Sequence, residues 1–220
     1  MRKTVLFLFA ALTLLTGMAR AEGPAPAQWV EGQQYFRVPA PQPVDTGDKI
    51  EIRELFWYGC PHCAHLQPYI DSWLSKGIPA NAEFVLMPAI LRDSWAPHAR
   101  IFYAFRDAGV VDKVHAKFFS AIHDQKQEFP NAETIAEFVS ENGGSGSEFL
   151  KAYRSFSVDA DVRRASELSR AYGVTGVPSI IVDGKYRTSV SAAGGYDQLF
   201  QLIDYLVQKS AAERSQQVQR

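Results

Sequence analysis

The chain has 220 residues, 46% of them hydrophobic and 21% charged, with a net charge of −1. That composition is globular and long enough for one core carrying an inserted subdomain. It excludes a nucleic-acid binder, which needs a clustered basic excess, and the mixed charges along the chain fit solvated faces.

In chain order, the first 21 residues stand apart. Arg2 and Lys3 form a short basic start, Val5 to Leu15 is an apolar run broken only by Thr13, and Ala19-Arg20-Ala21 is a small-x-small site. This layout predicts a cleaved signal peptide over 1–21. As a membrane anchor the run is too short, since a spanning helix needs about 20 apolar residues. The mature chain is then expected to be soluble, in an oxidising compartment where disulfides persist.

Residues 22–48 read as a Pro/Ala linker (22–27) and an edge strand (33–38), followed by a proline-broken loop. Residues 49–58 are β-rich and predict a buried strand, 61–76 a helix, and 82–87 a second strand, so 49–94 holds a βαβ unit with parallel strands. Over 95–172 the pattern turns helical. Segments 97–107, 111–123, 131–141, 147–155 and 159–172 each repeat apolar residues at i, i+3, i+4. Strands return at 179–182 and 185–189 around Asp183-Gly184, a strong hairpin signal, and a last amphipathic helix covers 197–209. The segment 173–209 thus pairs with 49–94 in one α/β unit, and the polar tail over 210–220 is expected to fray.

The only two cysteines, Cys60 and Cys63, lie in FWYGCPHC between the first buried strand and its helix. A bridge closing so small a loop contributes little chain entropy, which argues against a structural staple. Zinc would need a second ligand pair, and no further cysteine exists; His98, His115 and His123 fall in helical patterns and read as surface or packing residues. Pro61 suits the first helical position, which makes Cys60 the N-cap. Its sulfur then faces the free N–H groups of His62 and Cys63 and the positive end of the helix dipole, which favour the thiolate, as would a protonated His62. Cys63, one turn along and facing inward, is placed to resolve a mixed disulfide. Strand alternation puts Glu54 on one face with Ile50, Ile52 and Phe56, a core-facing carboxylate suited to shuttling the proton of Cys63.

With those residues in hand, the chain resembles the DsbA-type thiol:disulfide oxidoreductases. The resemblance rests on FWYGCPHC with its preceding EIREL, on Pro68 as the kink proline of the active-site helix, and on GVTGVPSIIVDGKY over 173–186. It implies an α/β class, a thioredoxin fold with an inserted all-helical subdomain, the insertion being 95–172. It further implies that Pro178 is a cis-proline facing the dithiol, with Val177 before it where an extended substrate peptide pairs. Glu54 falls on the family's buried acid, but no lysine stands at the place of the partner that some members put beside it. The site residues so implied are Cys60, Pro61, His62, Cys63, Glu54, Val177 and Pro178, with no metal and no cofactor beyond the cysteine pair.

The same resemblance implies a direction of electron flow. DsbA-type dithiols are strongly oxidising because their reduced form is stabilised. The expected activity is donation of the Cys60–Cys63 disulfide to reduced exported proteins in the periplasm, with reoxidation by a DsbB-type quinone-linked oxidase of the inner membrane and a monomer as the working form. A reductase or isomerase on the same fold, or a peptide-binding chaperone module with an incidental dithiol, are the rival readings.

Overall fold

The computed structural model describes residues 29–218. The expected signal peptide (1–21) and the Pro/Ala linker (22–27) lie outside the described residues. In chain order the elements are β1 (Phe36–Arg37), β2 (Ile50–Phe56), α1 (Pro61–Ser75), β3 (Ala82–Pro88), α2 (Ala96–Asp107), α3 (Val111–His123), α4 (Ala132–Glu141), α5 (Gly146–Tyr153), α6 (Phe156–Ala171), β4 (Ser179–Val182), β5 (Tyr186–Thr188), α7 (Val190–Ala193) and α8 (Tyr196–Val218). A 3-10 turn at Asp93–Trp95 leads into α2.

The strands form one sheet in the order β1-β5-β4-β2-β3. β2 and β3 run parallel, as the helix between them requires, and the other pairs are antiparallel. Every residue of β2 is buried, because the strand is central and both its faces are covered. Alternation sends Ile50 and Ile52 toward a core shared with Leu66 and Ile70 of α1 and with Leu202 and Leu206 of α8. Leu55 joins Met87 and Ile181 in a second core with Phe102, Phe105, Phe118 and Phe149 of the helices between β3 and β4.

That second face also carries charge that the strand pattern did not predict. Arg53 Nε donates to Glu51 Oε1 at 2.6 Å and Arg53 Nη2 to Asp45 at 2.7 Å, while Arg164 of α6 reaches the other Asp45 oxygen at 2.6 Å. The pair pins the 39–48 loop between the sheet and the insertion.

Two expectations are corrected. The tail over 210–220 does not fray within the described residues, because α8 continues to Val218. The cause is its contact with the β4–β5 turn: Arg214 pairs with Asp183, Glu213 accepts from Tyr186, and Ser210 is fully buried. The stretch 190–196, a connection between the expected strand 185–189 and the expected helix 197–209, contains α7, whose N-terminus is capped by the Ser189 hydroxyl. In the turn itself Asp183 and Gly184 both have positive φ, 55° and 62°, the hairpin geometry that Asp-Gly favours. A Cβ at Gly184 would stand 2.1 Å from the Gln42 carbonyl oxygen, so that position admits no side chain.

Candidate active site

β2 ends at Phe56, and the chain turns through Trp57-Tyr58-Gly59 into α1. Trp57 folds back over Gly59, where a Cβ would lie 2.4 Å from the indole, and stacks on Trp95 with ring centroids 4.3 Å apart. Cys60 is the N-cap of α1 in extended conformation, Pro61 takes the first helical position, and Pro68 lies inside the helix. The Cys60 carbonyl accepts from Cys63 N at 3.1 Å and Ala64 N at 3.2 Å, which starts the helix.

The two thiols are free, and both are buried, Cys60 7% exposed and Cys63 1%. Cys60 Sγ lies 3.5 Å from the Val177 carbonyl oxygen, and the peptide bond joining Val177 to Pro178 is cis. The loop between α6 and β4 is therefore the opposite wall of the site, as the resemblance implied. His62 and Pro61 are exposed beside Cys60. A cleft of about 470 Å³ opens alongside, lined among others by His62, Val177, Pro178, Ser189, Val190 and Tyr196. Trp57, Tyr58 and Trp95 do not line it.

The electrostatics separate the two sulfurs. A hydrogen bond from the Cys63 thiol, the backbone N–H groups of Cys63 and His62, and the charge on His62 together outweigh burial and bring the Cys60 pKa down to about 6. Burial first, then the neighbouring Cys60 and Glu54, push the Cys63 thiol far up. Glu54, 1% exposed, is pushed up to about 8 by burial and then by the negative charges of Asp71 and Cys60. Its Oε2 has no hydrogen-bond partner among the described residues.

Asp71 was not singled out from the sequence. It accepts from Gln67 Nε2 at 2.8 Å. Cys63, Gln67 and Asp71 are spaced i, i+4, i+8 along α1, a pattern that signals a shared face but not what lies beneath it. The three histidines read as surface or packing residues all gather on the 57–58 segment. His115 is buried and meets the Tyr58 hydroxyl, His123 meets the Tyr58 carbonyl, and His98 packs 5.7 Å from the Trp57 ring.

A sulfur held as thiolate at a helix end, next to one that stays protonated, is built for thiol–disulfide exchange, and the class is that of the thiol:disulfide oxidoreductases. Residues 51–207 match the family model described as a DSBA-like thioredoxin domain. The chain belongs to this family, and its fold is a thioredoxin fold with a helical insertion. It is 39% identical over 218 residues to the thiol:disulfide interchange protein DsbA of Azotobacter vinelandii, covering 99% of this chain and 100% of the relative. Identity to the protein of the same name from Pseudomonas aeruginosa is 37% over 212 residues, 96% of this chain and 98% of the relative. The crystal structure of Pseudomonas aeruginosa DsbA superposes with a TM-score of 0.79 at 38% identity, over 85% of this chain and 97% of that one.

Proposed function

We propose that the chain oxidises the thiols of exported proteins in the periplasm, Cys60 being the sulfur that exchanges with substrate. The observation that carries the direction is the placement of Cys60 at the N-cap of α1, where its thiolate is stabilised while the Cys63 thiolate is not. Stabilising the Cys60 thiolate makes the reduced protein the favoured state and Cys60 the better leaving group, so the disulfide form gives its bond away.

In the working cycle a substrate thiolate attacks Cys60 Sγ of the Cys60–Cys63 disulfide. The S–S bond breaks, a mixed disulfide forms on Cys60, and the electron pair goes to Cys63, which takes a proton from neutral Glu54. A second substrate thiolate then attacks the substrate sulfur of the mixed disulfide and releases Cys60 as thiolate. Two substrate thiols are oxidised and the protein dithiol gains their two electrons. Pro61 fixes the helix start, and His62 supplies charge beside Cys60. Val177 and Pro178 form the wall along which an extended substrate segment lies. Reoxidation falls to a DsbB-type quinone-linked oxidase of the inner membrane, and the signature over 1–21 supports export.

The test is oxidation of a reduced, unfolded substrate by the purified disulfide form. Cys60→Ser is expected to abolish it, and full activity in that variant would sink the proposal. A titration against glutathione separates the rivals: the proposal expects an oxidising equilibrium, and a strongly reducing one would point to a reductase instead.

A further inference from the structure

We infer that His115 and His123, two histidines of the inserted helix α3, clamp Tyr58 at both ends and act as positioning residues for Cys60. The Tyr58 side chain is fully buried, and its hydroxyl lies 2.8 Å from His115 Nδ1. Its main-chain carbonyl lies 2.8 Å from His123 Nε2. A carbonyl only accepts, so Nε2 of His123 carries the hydrogen and donates. The two histidines are eight residues apart, about two turns of one helix, and so share a face. Both bonds therefore run from a single rigid element to a single residue.

The residue they hold is the one before Gly59. Gly59, which follows Tyr58, has no side chain of its own to anchor it, and Cys60 comes next. Within the turn Cys60 N donates to the Trp57 carbonyl at 2.9 Å. Among the described residues, the side chains that hydrogen-bond to the segment 57–59 are these two histidines. Fixing both the ring and the peptide plane of Tyr58 sets the direction in which the chain enters α1. That direction decides how well the N–H groups of His62 and Cys63 point at the Cys60 sulfur. The insertion is thereby a part of the dithiol's tuning as well as a cover for the sheet. The packing around the pair is aromatic: Phe56 meets the His115 ring edge-on at 4.9 Å, and Phe119 approaches the same ring at 5.2 Å. An apolar residue at 115 or 123 would satisfy that packing equally, so bulk alone does not account for two imidazole rings that each bring a nitrogen to one residue.

This inference rests on the reading of Cys60 as the exchanging sulfur. Its test compares His123→Leu and Tyr58→Phe, which remove one bond each, with His123→Gln, which keeps an N–H at similar reach. The midpoint of Cys60 ionisation is read from thiolate absorbance, and the glutathione equilibrium is measured beside it. The two removals are expected to raise the midpoint by about half a unit, a roughly threefold loss in ionisation constant, and to move the glutathione equilibrium the same way, with glutamine restoring both. Folding is checked by circular dichroism. If the leucine variant does not fold, Tyr58→Phe, which deletes only the hydroxyl, decides the question. Unchanged midpoints and equilibria in folded variants overturn the clamp while leaving Cys60 in its role. Substrate oxidation by Cys60→Ser would instead overturn the reading beneath it.

Discussion

Glu54 lies inside the sheet, opposite Leu86 on β3 and Ile180 on β4, with the charges of Asp71 and Cys60 acting on it after burial. Its pKa is raised from 4.5 to about 8, so the folded state keeps the proton that the unfolded chain would release. The stability this gives is fully present below pH 4.5 and drains away as pH rises through 8. Glu54→Gln is neutral throughout and is expected to gain on the parent across that window, by roughly 3 kcal/mol at pH 7. Urea unfolding at pH 4.5 and pH 7.5 measures it; a difference between the two proteins that stays constant with pH would disprove the account. The same substitution should slow the release of Cys63 from the disulfide. Alternation along one strand sufficed to find this acid in the sequence. Its neighbour Asp71 was not legible, since its effect depends on how α1 lies across β2.

At the scale of elements, α1 with Cys60 at its N-cap and the Asp183-Gly184 hairpin follow from local chemistry, and the structure has both where the residues put them. The polar residues of β2 behave differently. Glu51 and Arg53 were not singled out from the sequence, yet both are buried charged residues, because the insertion closes over that face. A buried pair stabilises little by itself, but losing one partner leaves a charge stranded in the core. Arg53→Leu is therefore expected to cost about 3–5 kcal/mol, and the double change with Glu51→Leu to recover much of it. Denaturant midpoints of the parent and the two variants give the answer, and a single variant as stable as the parent would refute it. The last turns of α8 follow the same logic. SAAERSQQV looks too polar to persist as helix, but Arg214 and Glu213 find their partners on the β4–β5 turn.

For the molecule as a whole, the redox state and the stability of the fold are linked through Cys60. In the reduced form its pKa falls from the ordinary 9.0 to about 6, so the folded state releases a proton that the unfolded chain holds. A depressed pKa adds stability as pH rises above 6, fully present above 9.0, and loses it as pH falls back through 6. The disulfide form has no such thiolate. The stability of the reduced protein relative to the oxidised one is therefore expected to grow between pH 6 and pH 8, measured as parallel denaturant curves under reducing and oxidising conditions. A gap that is flat or shrinking over that range would contradict the stabilised thiolate.

The sequence by itself determined the strands and the helices other than α7 and the last turns of α8, the reactive end of α1, the buried acid and the dithiol chemistry. Those depend on spacing over a few residues, where period, capping and turn geometry are set by the local chain. Tertiary structure alone decided that Asp71 acts on Glu54, that Glu51 and Arg53 are enclosed, and that three histidines scattered over α2 and α3 converge on Trp57 and Tyr58. Each of these joins residues distant in the chain or on separate elements. Asp71 comes to Glu54 through the way α1 lies across β2, and the others come from packing an insertion of five helices against one sheet face, which no local pattern encodes.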